Sequence, residues 1–237
     1  MTDKINLACQ NLTSLPDNLS KSLQELVCSS NQLTSLPDNL PQNLKELHCS
    51  NNKLTLLPDN LPQNLKTLGC YINDLISLPD NLPRSLQNLW CSWNKLISLP
   101  DNLPHSLQEI WCINNRLTTL PDHLPPNLKA LGCSYNQLTI LPDLPISIIA
   151  IDVRNNPLEQ HYPDIFKHRY EVKDLINYVN KCNGIRRAKE WLAIVNASNV
   201  FLERYMRRAM HPSQLETLKA NEDADVDEFM TRYVESL

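Results

Sequence analysis

Hydrophobic residues recur along residues 5–158 in a spacing that is neither helical nor a simple alternation. In the unit that begins at Leu44, the core positions are Leu44, Leu47, Cys49 and Leu54. The alternation of Leu47 and Cys49 predicts a short β-strand that turns both side chains to the core. Leu-Pro pairs fill the second half of the unit, and proline fixes φ and blocks helix. Each unit therefore predicts one strand, a turn and an extended, polyproline-like return.

The unit repeats every 21 residues, and its clearest marker is cysteine. The regularly spaced cysteines are Cys28, Cys49, Cys70, Cys91, Cys112 and Cys133. Cys9 marks an incomplete first unit, and Val153 replaces the cysteine of the last. Metal ligands would come in pairs about two to four residues apart, so this spacing is structural. A period of about 20 to 50 residues predicts a solenoid, here of about eight repeats over residues 1–158, with reduced, buried thiols.

Two polar columns accompany the repeat. An asparagine follows each cysteine place by three residues, at Asn31, Asn52, Asn73, Asn94, Asn115, Asn136 and Asn156. We expect its amide to be buried where the strand turns away and to satisfy the backbone there. An aspartate begins the turn of each unit, as Asp59 does, and is expected to accept local backbone N–H bonds.

The unit fits L-x-x-L-x-L-x-x-N-x-L, with Cys49 in the third leucine place and Asn52 in the asparagine place. With its Leu-Pro-Asp-Asn-Leu-Pro ending it resembles the short leucine-rich repeats of bacterial effectors, including those that carry a ubiquitin-ligase domain. The cysteine-rich form is similar to repeat proteins of giant DNA viruses. The resemblance implies an α/β-type leucine-rich-repeat solenoid, with parallel strands on a concave face and an extended convex side.

The composition argues against several classes of function, among them nucleic-acid binding, nucleotide binding through glycine-rich loops and membrane insertion. The net charge of -4 gives no basic surface, so nucleic acid is not an expected partner. The chain has only three glycines, far apart, and therefore contains neither GxGxxG nor a phosphate-binding P-loop. No apolar run reaches the ~20 residues of a membrane span, and the N-terminus has no apolar stretch of signal-peptide type. We expect a cytoplasmic, monomeric protein without membrane contact, cofactor or metal.

Residues that flank the buried strand positions point to the concave face, because side chains alternate along a strand. Three of the four tryptophans fall there, on two adjacent repeats. Trp90 and Trp111 are expected to stack or touch, since neighbouring strands lie ~4.8 Å apart. Clustered exposed aromatics are typical of a protein-binding surface. The predicted site comprises Glu46, His48, Tyr71, Ile72, Trp90, Trp93, Glu109, Trp111, Ile113 and Tyr135. The alternative is that these rings only cover the sheet.

Composition changes after Pro157, and residues 159–237 are predicted to form a small α-helical region. Apolar residues at helical spacing run from Ile165 to Val179, and Asn183-Gly184 is expected to end that helix. A second helix is predicted over residues 185–210, and two short ones near 212–220 and 226–236. Their apolar faces are expected to close the last repeat.

Two functional hypotheses follow. The first is a non-enzymatic module that binds a partner protein through the concave face, as a host-directed effector would. The alternative is a ubiquitin-pathway factor, a ligase acting through Cys182 or an adaptor acting through the helical region. Ligase activity is not expected, because the resemblance would require an Asp two residues after the cysteine, where Gly184 stands. The sequence contains no Ser/His/Asp signature, HExxH motif or CxxC pair.

Overall fold

The computed structural model describes residues 3–16, 18–165 and 171–197. Eight three-residue strands form one parallel sheet, in which they lie in chain order. Each strand pairs with the corresponding strand of the next repeat. The strands are β1 (Lys4–Asn6), β2 (Glu25–Val27), β3 (Glu46–His48), β4 (Thr67–Gly69), β5 (Asn88–Trp90), β6 (Glu109–Trp111), β7 (Ala130–Gly132) and β8 (Ala150–Asp152). The described residues between the strands contain turns and extended chain but no helix. The predicted parallel-strand solenoid is confirmed.

The core consists of the predicted leucine and cysteine columns. Leu47 and Cys49 are fully buried, and the same holds for their counterparts in every complete repeat, such as Leu89 and Cys91. A single repeat could not bury these side chains by itself, but stacked repeats share one continuous core. The solenoid is therefore stabilised by contacts between neighbouring repeats.

The asparagine column joins each repeat to the one before it. Asn94 Nδ2 donates to Cys91 O of its own repeat and to Cys70 O of the preceding one, both at 3.1 Å. Asn94 Oδ1 accepts from Leu75 N, also of the preceding repeat, at 3.0 Å. The same pattern recurs from Asn52 to Asn156. The predicted role of the buried amide is confirmed.

The first repeat keeps the register of the others, and the placement of Cys9 in the core column was wrong. Strand β1 pairs Asn6 with Val27, so that Leu7 stands opposite Cys28. Asn31 Nδ2 accordingly donates to Leu7 O at 2.8 Å. Cys9 lies two residues further on, where it is exposed. The spacing of cysteines alone misled the sequence interpretation, because leucine and cysteine are interchangeable in the core position.

Five of the seven aspartates of the column do not cap their turns. Within the described part of the chain, the carboxylates of Asp38, Asp59, Asp80, Asp101 and Asp122 accept no hydrogen bond from a local backbone N–H. The backbone bond from Leu65 N to Pro62 O, at 3.0 Å, closes the next turn of the same unit. These aspartates are solvated surface residues.

In the described residues after the repeats there is one helix, α1 (Val172–Ala197). The predicted helix end at Asn183-Gly184 is wrong, since α1 runs through both residues. Gly184 does not have a positive φ, and a single glycine inside a helix costs only about 1 kcal/mol. Good helix formers on both sides, Lys181 and Arg186 among them, offset that cost. Residues 185–197 of the second predicted helix are helical as part of α1. The rest of that helix and the two short ones lie outside the described residues.

The chain divides into compact units of residues 1–179 and 180–237. In the first unit, a buried tyrosine ties the residues after the repeats to the last complete repeat. Tyr162 Oη donates to Leu141 O and accepts from Leu141 N, each at 3.0 Å. Ile176 and Val179, at the start of α1, are also buried. The boundary at 158/159 stays a prediction, because residues 159–179 belong to the same compact unit as the repeats.

Burial has a measurable consequence for the thiols. All eight cysteines are free, and burial raises the pKa of Cys28, Cys70 and Cys112 to about 12. Because the thiolate is the reactive form, these groups remain unreactive at pH 8. We expect Ellman's reagent to label two thiols of the folded protein, the exposed Cys9 and the half-buried Cys182, and all eight after denaturation. Rapid labelling of more than two in the folded protein would contradict this core.

Candidate protein-binding face

The concave face is built by the outer residues of each strand. The middle residue of a strand, such as Leu89 in β5, is buried, and its two neighbours point to the other side of the sheet. Strands β5 and β6 pair Asn88 with Glu109 and Trp90 with Trp111. The sequence therefore places both tryptophans in one column, one repeat apart.

The two indole rings do not stack on each other, so the stacking part of the expectation was wrong. Trp111 lies over Gly132 of the next repeat, where an added Cβ would be only 2.3 Å from Trp111 Cε3. Trp90 lies beside Gly69 of the preceding repeat, with Cε3 3.6 Å from such a Cβ. The rings thus lean in opposite directions, each toward a glycine. Among the described residues, the ring pair in contact is His48 with Trp90, with centroids 6.2 Å apart.

A shallow depression of about 370 Å³ lies on this face. Its lining comes from three consecutive repeats and consists of Tyr71, Trp90, Ser92, Trp93, Glu109 and Trp111. Trp111 Nε1 donates to Glu109 Oε2 at 3.3 Å. This hydrogen bond fixes the carboxylate beside the indole.

A column of left-handed residues borders the same face. The third residue after each of the eight strands has a φ of 53° to 58°. It is Cys9 after β1, and serine or asparagine in four further repeats. In the other three it is Ile72, Trp93 or Tyr135. A β-branched or bulky residue in this region is strained, at a cost of roughly 1–3 kcal/mol. All three side chains are exposed, by 45%, 56% and 59% respectively, so burial does not offset that cost.

The N-terminal end of the concave face, at β2 and β3, is charged. Glu25 and Glu46 are paired across β2 and β3, and ligand atoms of both, with one of His48, lie within 4.8 Å of one another. Glu25 is paired with Lys4 at 2.6 Å, and Glu46 contacts His48 at 3.3 Å. These contacts account for the cluster without a metal ion.

The predicted site residues divide into three groups. The depression brings together Tyr71, Trp90, Trp93, Glu109 and Trp111. Ile72 and Tyr135 belong to the left-handed column, and Ile113 Cδ1 lies 3.3 Å from the Cβ position of Gly132. Glu46 and His48 form the charged end. Sequence analysis missed the role of Gly69 and Gly132, although both stand in the tryptophan column of the sequence.

Comparison with known proteins agrees with this architecture. The family described as Leucine Rich Repeat matches residues 22–42 and 43–65. The leucine-rich repeat domain of a Shigella effector is 37% identical over 70% of this chain and 74% of its own, with a TM-score of 0.60. The chain belongs to the leucine-rich repeat family.

Two further solved structures are similar. YopM, a leucine-rich effector protein from Yersinia pestis, is 42% identical, with a TM-score of 0.62. That alignment covers 66% of this chain but only 44% of YopM. A leucine-rich repeat protein of Leptospira interrogans is 25% identical over 74% of this chain and 58% of its own, with a TM-score of 0.51. No curated protein matches the sequence significantly.

The remaining sequence expectations concern the helical region and the membrane. Cys182 lies on α1 and is half-buried, and no observation supports the ubiquitin-pathway alternative. Within the described residues, no helix is both long and apolar enough to span a membrane.

Proposed function

We propose that this chain is a non-enzymatic module that binds a partner protein through the concave face. Leucine-rich repeat proteins are generally interaction modules, and solenoids provide extended concave surfaces for such contacts. The likeness to the YopM and Shigella effector structures supports action as a host-directed effector. We propose that it acts as a monomer in the cytoplasm, where thiols stay reduced.

The use of glycine on this face carries the proposal. Glycine would relieve strain in the left-handed column, yet that column contains Ile72, Trp93 and Tyr135 instead. Two of the three glycines stand on the concave strands, without a positive φ, where they leave space for indole rings. The chain thus accepts backbone strain in order to expose large apolar side chains. Exposed aromatic clusters of this kind are typical of interaction sites.

Gly132→Ala tests the proposal without removing an aromatic residue. The new Cβ would overlap the indole of Trp111 at 2.3 Å, so the ring must move. Alanine fits the backbone here, because φ is not positive, and it is no worse than glycine in a strand. We expect partner affinity to fall roughly tenfold with an unchanged or slightly higher melting temperature.

The measurement is capture of proteins from eukaryotic cytosol, followed by titration of the captured protein. The matched control is Ile97→Thr, which removes an apolar side chain that is 62% exposed. Threonine is chosen because the equivalent position of the next repeat is Thr118. A partner lost with Gly132→Ala but kept with Ile97→Thr supports the proposal. Equal retention by both variants would place the binding surface elsewhere.

A further inference from the structure

We infer that the depression between β4 and β6 binds an arginine side chain of the partner protein. This inference rests on the proposed function and assigns the chemistry that the concave face recognises. The lining combines four aromatic side chains with one carboxylate, those of Tyr71, Trp90, Trp93, Trp111 and Glu109. Aromatic faces attract cations, and tryptophan does so most strongly.

Glu109 has no cationic partner within the described part of the repeats. Two other carboxylates of the face have cationic neighbours: Glu25 has Lys4 at 2.6 Å, and Asp152 has Arg154 at 2.9 Å. A third, Glu46, contacts the imidazole of His48 at 3.3 Å. In residues 3–165, Asp17 excepted, no cation is paired with Glu109, and its polar side-chain contact is the indole N–H of Trp111. The Glu109 carboxylate is only partly exposed, and its neighbours are aromatic. Its charge therefore interacts with a cation more strongly than it would in bulk water.

A neutral side chain would fit this depression less well than a cation. An apolar group seated on the rings would exclude water from Glu109 and leave a desolvated, unpaired charge. A cation supplies the missing partner and contacts the rings as well. Arginine suits the site better than lysine, because its planar guanidinium stacks on indole and donates two parallel hydrogen bonds to a carboxylate.

The test uses capped pentapeptides with a central arginine or citrulline, its neutral isostere. Binding is followed by the indole N–H signals of the full-length protein, assigned by single Trp→Phe variants. We expect arginine peptide to shift the signals of Trp90 and Trp111 saturably, and citrulline peptide to bind at least about tenfold more weakly, as loss of a charged hydrogen bond predicts.

Glu109→Gln and Glu46→Gln form a matched pair, because both glutamates begin a concave strand. Glutamine keeps an oxygen that can accept from Trp111 Nε1, so only the charge is removed. We expect Glu109→Gln to lower arginine-peptide affinity about tenfold and Glu46→Gln to change it less than twofold. Unchanged backbone amide spectra show that each variant is folded.

The inference would be overturned by equal affinity for the arginine and citrulline peptides, or by equal effects of the two glutamine variants. It would also be overturned if the arginine peptide caused no saturable shift up to about 10 mM, a concentration at which even millimolar binding is visible. Failure of this inference can be distinguished from failure of the proposed function. If arginine peptide does not bind but the partner still requires Trp90 and Trp111, only the arginine assignment falls. If arginine peptide binds but partner capture does not require the two tryptophans, the proposed function falls.

Discussion

The double variant Trp90→Ala, Trp111→Ala should lose its partner protein while remaining folded. The two rings line the depression from adjacent strands and stand outside the leucine–cysteine core. A hot-spot tryptophan costs about 2 kcal/mol or more when truncated, which is roughly a thirtyfold loss of affinity for each ring. The melting temperature should change by only a few degrees, about what 1 kcal/mol produces at this chain length. Calorimetric titration and thermal melting measure both quantities.

The control for this loss is Ile97→Thr, which alters an exposed apolar residue outside the proposed site. It should bind the partner as the unaltered chain does. If the double tryptophan variant unfolds, the rings are structural and only cover the sheet. If it folds and keeps its affinity, recognition takes place on another surface.

Asn94→Ala should destabilise the solenoid more than any single change on the concave face. It removes the acceptor of Leu75 N and the donor to Cys70 O and Cys91 O, in the middle of the stack. Each buried polar group left without a partner costs about 1–3 kcal/mol, so the sum is about 3 kcal/mol or more. At this size the melting temperature should fall on the order of 5–10 °C. Thermal unfolding followed by circular dichroism measures it.

Asn102→Ala is the matched control, because Asn102 is an exposed turn residue in a neighbouring part of the same solenoid. We expect it to change the melting temperature by less than about 2 °C, as is usual for surface substitutions. Equal effects of the two variants would mean that the asparagine amides do not join the repeats.

The repeats could be predicted because one set of constraints acts again and again. The core column requires Leu or Cys, and the asparagine amide bonds four backbone groups, as Asn94 does. The same residues therefore stand at the same places in each unit. The prediction failed where a residue type has two uses. Cys9 was assigned to the core by its identity, while the parallel register gives that place to Leu7. Gly184 was interpreted as a helix end, although its neighbours favour helix enough to carry α1 past it.

The sequence predicted which residues lie on the concave face, but not how their side chains are oriented. Strand alternation places Trp90 and Trp111 side by side, and that much follows from the period. Which way each ring leans depends on the space beside it, and therefore on Gly69 and Gly132. The strain at Ile72, Trp93 and Tyr135 is a property of the backbone turn, which a hydrophobic pattern does not contain.

Site-specific photo-crosslinking tests the central claim most directly. A photoreactive phenylalanine analogue replaces Trp93 in one variant and Ile97 in another, two apolar residues exposed by 56% and 62% in the same repeat. Both variants are irradiated in eukaryotic cytosol. Binding through the concave face predicts a covalent adduct with one partner protein from position 93 and none from position 97. An adduct from position 97, with none from position 93, would contradict it.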